Sequence, residues 1–113
     1  MFNSIEEILE DLREGKLVVV MDDEGRENEG DLLCAAEHIT TDKINFMVKE
    51  ARGLVCVPME SDRLNELGLH PMKVDLSSKH QKCDTGWAIS VDAATGVTTG
   101  ISASDRRCNA CRK

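Results

Sequence analysis

LVVVMDDEGRENEGDLLCAA, residues 17–36, decides how the rest of the chain is read. LVVVM is a continuous, largely β-branched run of the kind that suits a strand buried on both faces. It empties directly into DDEGRENEGD, ten residues with seven charges and no apolar side chain. DLLCAA then reads as a second buried strand returning from that loop. Six carboxylates, Asp22, Asp23, Glu24, Glu27, Glu29 and Asp31, crowd into those ten residues. Left alone they repel one another, and a hard cation such as Mg²⁺ is what relieves such crowding. Mg²⁺ prefers one or two carboxylates plus waters and substrate oxygens, so most of these side chains need not be ligands. Gly25 and Gly30 are read as the points where the backbone turns tightly. Arg26 and Asn28 would donate to a phosphate or to hydroxyls. Most acidic runs are simply solvated loops. This one joins two buried strands and mixes Arg, Asn and Gly with its acids, which argues for a ligand. It is not an EF-hand, because neither glycine falls at the sixth position of a correctly spaced Asp/Asn series.

Outward from that hairpin, the pattern alternates strands with helices. Ser4 and Glu7 form a capping box, Ile5, Ile8, Leu9 and Leu12 follow at helical spacing, and Gly15 closes the helix. Thr41 is placed as the cap of a second helix, with Ile44, Met47, Val48 and Ala51 on one face and Gly53 after its end. LVCVPM (residues 54–59) is a third strand. Ser61 to Leu67 is a short helix ended by Gly68, with Pro71 stopping any continuation. Lys73 to Gly86 is polar and aperiodic, a mobile loop. WAISVDA (residues 87–93) alternates like a strand, and Ala94 to Gly96 turns into VTTGIS. RRCNACRK at the end carries no apolar periodicity. The class is α/β, a largely buried sheet with helices packed on it.

Composition limits the partners. The 113 residues carry 21 acids against 14 basic side chains, a formal charge of −7. Such a surface repels a phosphate backbone, which excludes nucleic acid. One Trp, two Phe and no Tyr leave no stacking platform for single strands. No run approaches the roughly 18 apolar residues of a membrane span. The acidic, amphipathic N-terminus is not a secretory signal or transit peptide, so a cytoplasmic location is expected. The five cysteines are an odd count, read as reduced thiols, with Cys34 and Cys56 inside apolar runs where buried structural thiols belong.

The stretch MDDEGRENEGDLLCAAE closely resembles the signature of the 3,4-dihydroxy-2-butanone 4-phosphate synthase family of riboflavin biosynthesis. The likeness continues through GLVCVPM, through Leu67 to Met72, and through SVDAATGVTTGISASDR at Ser90 to Arg106. It implies a mixed sheet with helices packed on it and a homodimer. It also implies a Mg²⁺- or Mn²⁺-dependent lyase that converts ribulose 5-phosphate, a small phosphorylated sugar, into 3,4-dihydroxy-2-butanone 4-phosphate and formate. Position by position, Glu27 would be the metal ligand and touch substrate, with Arg26, Asp31 and Thr99 also binding it. Asp22 and Glu24 are the acid–base candidates, and Cys56 lines the active site. Asp105 and Arg106 end the matched motif, as an ion pair or a phosphate contact.

The departures bear on activity. Family members continue past this point with a histidine as second metal ligand, a phosphate-binding segment and a catalytic glutamate. His38, His70 and His80 sit in no equivalent motif, and Trp87 stands where a Phe is expected. Residues 1–113 are therefore read as a single partial domain of a truncated member, with impaired turnover expected. The first alternative is a non-catalytic, metal- or ligand-binding remnant or subunit of the same fold. The second places half a zinc site at Cys108-Asn-Ala-Cys111, with Cys83 and His80 as the nearby pair to complete it.

Overall fold

A computed structural model describes residues 2–72 and 86–111 of the chain. Helix α1 (Ile5–Arg13) starts on the capping box read from the sequence. Glu7 N–H donates to Ser4 Oγ at 3.2 Å, and Ser4 N–H donates to the Glu7 carboxylate at 2.8 Å. That reciprocal pair satisfies two of the amides a helix start leaves open. At the other end Gly15 takes a φ of 76°. Lys16 N–H then reaches Asp11 O at 2.9 Å and Gly15 N–H reaches Leu12 O at 3.0 Å, a Schellman closure.

The chain turns from there into strand β1 (Val18–Met21), paired antiparallel with β2 (Gly30–Leu33). Val18 lies opposite Leu33 and Met21 opposite Gly30. The hairpin is where the sequence put it, but the expected burial of both strands is not found. Only Val18 is buried; Val19, Val20, Met21 and Leu33 are exposed. The β-branched run marks strands built to be covered on two faces, and among the described residues no second layer lies over them. The DLLCAA strand also ends early, at Leu33, because Ala36–His38 coils into a 3-10 turn.

Helix α2 (Thr41–Glu50) is capped by Thr40, whose Oγ1 accepts Lys43 N–H at 3.2 Å. The two consecutive threonines made the sequence assignment one residue late. Left-handed backbone after this helix falls on Arg52, at φ 62°, and not on Gly53. Ile44 is the deepest side chain, 1% exposed. Lys43 Nζ binds the carbonyls of Gly15 at 2.5 Å and His38 at 2.7 Å, joining α2 to the end of α1. Helix α3 (Ser61–Glu66) closes at Gly68 as read.

Helix α4 (Ala103–Cys111) was not foreseen, since RRCNAC has no apolar stripe. A start signal was present in Ser102-Ala-Ser-Asp105: Asp105 N–H donates to Ser102 Oγ at 3.1 Å. The helix is held by packing on α2 and on the 3-10 turn, which periodicity alone does not report.

LVCVPM forms no ladder, and WAISVDA contributes a single bridge, Ala88 to Pro71. A strand needs a hydrogen-bonding neighbour as well as the right side chains; among the described residues LVCVPM has none, and WAISVDA has only His70–Met72, through Met72 N–H to Trp87 O at 2.7 Å and Ile89 N–H to His70 O at 3.1 Å. The polar segment from Lys73 lies outside the described residues up to position 85. Helices and a small sheet make the class α/β, as expected. Among the described residues no helix is long and apolar enough to cross a membrane.

Gly15 gives the sharpest test of this packing. It is buried, its φ is positive, and an added Cβ would lie 2.9 Å from His38 Cβ. Gly15→Ala is expected to cost about 2–3 kcal/mol in urea unfolding followed by circular dichroism. Gly68→Ala, at φ 68° with open space around it, isolates the backbone part and should cost about 1 kcal/mol. Equal losses at the two sites would show that the His38 contact is slack.

Candidate active site

The loop between the strands is organised by Asp22. Its backbone N–H continues the ladder by donating to Glu29 O at 3.1 Å. Its carboxylate then gathers the loop: Oδ1 accepts Glu29 N–H at 2.8 Å, and Oδ2 accepts Glu27 N–H at 3.1 Å and Arg26 Nη1–H at 2.8 Å. These donors hold the Asp22 carboxyl below its ordinary range, the Glu29 amide contributing most, with Arg26 and the Glu27 amide behind it. Asp22 thus has both oxygens committed to the loop's shape.

Around it, Asp23 Oδ1 accepts Gly25 N–H at 2.7 Å and Asp23 O accepts Arg26 N–H at 2.9 Å, a tight turn. The tight geometry expected of Gly25 and Gly30 falls instead on Asn28, at φ 54°. Asn tolerates left-handed backbone better than most residues, so the glycines are not needed for it. Gly30 serves another purpose: a Cβ there would lie 2.7 Å from Met21 Sδ, its cross-strand partner.

Arg26 bridges two carboxylates, since its Nη1 also lies 3.1 Å from Glu27 Oε2. Glu24 has no hydrogen-bond or ion-pair partner among the described residues. With Phe2, Met21, Asp22, Asp23 and Asn28 it lines an open depression of about 560 Å³, large enough for a small sugar phosphate. Among the described residues, no three His, Cys, Asp or Glu side chains converge on one point. A Mg²⁺ ion does not require three, because it is commonly held by one or two carboxylates with waters and substrate oxygens. Glu27, exposed and tied through its amide to Asp22, fits that limited demand.

Asp31 and Cys56 come within electrostatic reach of each other. Partial burial first, and the Asp31 charge second, push the Cys56 thiol up, so it is protonated at neutral pH. The residue is nevertheless exposed, contrary to the buried thiol its apolar surroundings suggested. LVCVPM has no sheet partner here, which leaves Leu54 81% exposed beside it. Thr99 is exposed too and makes no hydrogen bond to the Asp22–Asp31 loop. Its neighbours, by contrast, are fixed to Asp105, whose carboxylate accepts from Thr98 and has no cationic partner among the described residues. The ion pair expected of Asp105 and Arg106 is not found among the described residues. Burial explains this: Asp105 is 4% exposed and already saturated by local donors. Cys108 and Cys111 lie on α4, and the Cys83 and His80 invoked beside them are outside the described residues.

Comparison with known proteins gives concordant matches. The family model described as 3,4-dihydroxy-2-butanone 4-phosphate synthase matches residues 6–112. A protein of that name from Pseudomonas aeruginosa is 56% identical over 104 residues, covering 92% of this chain and 28% of the relative. The riboflavin biosynthesis protein RibBA of Chlorobium phaeovibrioides is 55% identical over 105 residues, covering 92% of this chain and 25% of the relative. A crystal structure of 3,4-dihydroxy-2-butanone 4-phosphate synthase in complex with two magnesium ions superposes with a TM-score of 0.87 at 39% identity. It is matched over 97% of this chain and 50% of its own length. The chain thus spans about a quarter of these curated relatives and half of that solved structure.

The loop geometry predicts a pH signature. The Asp22 carboxyl is lowered in the folded chain, so its contribution to loop stability is complete above the unfolded value of about 3.9. That contribution is lost as pH falls through the lower folded value. The Asp22 carboxyl carbon, followed by ¹³C NMR, should titrate below pH ~3.9. Arg26→Ala should move the midpoint only part of the way up, since the Glu29 amide is the larger cause. A wild-type midpoint at or above the ordinary value would rule out this arrangement of the loop.

Proposed function

The chain belongs to the 3,4-dihydroxy-2-butanone 4-phosphate synthase family, and from that premise we propose that its Asp22–Asp31 loop serves a Mg²⁺-dependent lyase. The reaction proposed is conversion of ribulose 5-phosphate to 3,4-dihydroxy-2-butanone 4-phosphate and formate in riboflavin biosynthesis. The observation that carries it is the loop itself. One buttressing acid, Asp22, lines a sugar-sized depression and at the same time holds the Arg26 guanidinium and the Glu27 amide side by side.

Each side chain has a task suited to its surroundings. Glu27 would hold Mg²⁺, with Mn²⁺ an equally acceptable oxygen-seeking ion. When bound, the ion supplies Lewis-acid stabilisation of negative charge on adjacent substrate oxygens. Arg26, shared between Asp22 and Glu27, would bring its guanidinium charge to the anionic substrate. Glu24, unpartnered at the rim, is the better placed acid–base group. Asp22 can join it only by giving up bonds that shape the loop. Asp31 would accept from a substrate hydroxyl, and the protonated Cys56 thiol beside it would line the site as a weak donor. Thr99 would contribute a hydroxyl from the α4 side. A homodimer is part of the same proposal, supported by the exposed apolar side chains of β1 and β2.

A second reading is that the same loop binds metal and sugar phosphate without turnover. Formate release from ribulose 5-phosphate, with and without Mg²⁺, separates the two. The lyase reading expects metal-dependent release that Glu27→Ala lowers on the order of 100-fold. A folded chain that binds Mg²⁺ and sugar phosphate but releases no formate would establish the second reading. A folded chain that binds neither would overturn both.

A further inference from the structure

Asp105 is the only buried charged residue among those described, 4% exposed. Its Oδ1 accepts Thr98 N–H at 2.9 Å and its Oδ2 accepts Thr98 Oγ1–H at 2.8 Å. A buried carboxylate without a cation is costly, so its oxygens must be well satisfied. Here Thr98 supplies the two strongest donors, through backbone and side chain together, with Ser102 and the Gly100 amide adding to them.

The other side of the same turn is held from the same helix. Asn109, one turn along α4 from Asp105, donates from Nδ2 to Asp92 Oδ1 at 2.6 Å and accepts Ala93 N–H at 2.8 Å. The Asp92 carboxylate lies against buried Gly100, at φ 81°, where any Cβ would collide with it. Thr98 and Gly100 are therefore both fixed, while Thr99 between them is exposed and makes no hydrogen bond among the described residues. A turn built only for stability would have no need to leave its middle side chain free between two clamped neighbours.

We propose that Asp105 is a positioning residue for substrate: it fixes the Thr98–Gly100 turn so that Thr99 meets a phosphorylated sugar in one orientation. The inference rests on the substrate-binding reading of Thr99 and adds the group that makes that threonine competent. Asp105 touches no substrate itself. Its carboxylate is also held below the ordinary range, by the Thr98 amide first and the Thr98 hydroxyl second, so it remains an acceptor throughout the neutral range.

The test is calorimetric titration of the 113-residue chain with ribulose 5-phosphate in the presence of Mg²⁺, and with Mg²⁺ alone. Asp105→Ala should weaken sugar-phosphate binding about tenfold or more, as expected when a contact group is misplaced. It should leave Mg²⁺ affinity unchanged. Asp105→Asn keeps an oxygen acceptor for the Thr98 amide and should recover most of the loss. The double variant Thr99→Ala/Asp105→Ala should bind no more weakly than Thr99→Ala alone, because one acts through the other. Should Asp105→Ala fail to fold, Thr98→Val removes one anchor only and should show a smaller loss with the same non-additivity. Additive losses, or equal losses in Mg²⁺ affinity, would overturn the inference in favour of a purely structural acid. Sugar-phosphate binding that Asp105→Ala leaves intact would overturn it alone. A wild type that binds Mg²⁺ but no sugar phosphate would overturn the substrate-binding reading, and this inference with it.

Discussion

The carboxylate of Asp22 is the interaction on which the hairpin loop depends. It sits one step beyond the last β1–β2 pair and accepts from Arg26, Glu27 and Glu29. Without it, residues 23–29 would set four acids against a single arginine, with fewer reasons to stay folded back. The ladder fixes where the loop begins and ends, and one acid converts the stretch between into a shape. Two strands and a single side chain thereby set Arg26 and Glu27 next to each other.

The same device appears on α4. Asp105 does for the Thr98–Gly100 turn what Asp22 does for the acidic loop, but from within the protein rather than at its rim. In both places an acid gathers amide donors and the neighbouring polar residue is left presented. Its charge is then offset locally, and in the proposed function the chemistry would fall to other groups. This separation of shaping acids from reacting acids is not visible in a count of carboxylates. It emerges only when each oxygen's partners are followed.

That distinction marks how far the sequence could be read. The capping box at Ser4, the β1–β2 hairpin and the Gly68 helix stop are local signals, each decided within a few residues, and each was legible. Helix α4 was not, because its stability comes from packing on α2, a contact between segments some sixty residues apart in sequence. Its Ser102–Asp105 start signal was visible but lacked an apolar stripe behind it. LVCVPM and WAISVDA carry the side chains of covered strands, yet pairing is a property of two segments, and one segment cannot declare its neighbour. At the site, the residue types of the Asp22–Asp31 loop were enough to nominate it. Which acid shapes and which remains open was not, since Asp22 and Glu24 differ only in what lies within 3 Å of them.

Charge finally explains why the proposed function calls for a cation from outside the chain. The protein carries a formal charge of −7 and the loop six carboxylates, with Arg26 the loop's one cationic side chain. Arg26 is already engaged by Asp22 and Glu27, so its guanidinium offsets acids before it can attract an anionic substrate. A small anion approaching the rim would meet Glu24, Glu29 and Asp31 as well as that shared guanidinium, and at a few ångströms such repulsions amount to about 1 kcal/mol each even in water. A divalent ion at Glu27 would reverse this balance at one stroke. It would compete with Arg26 for the Glu27 carboxylate, leave the guanidinium more donors to spare, and place positive charge where the substrate oxygens arrive. On this argument the acidity of the loop would be compatible with the proposed anionic substrate only if metal and substrate came as a pair, each making room for the other.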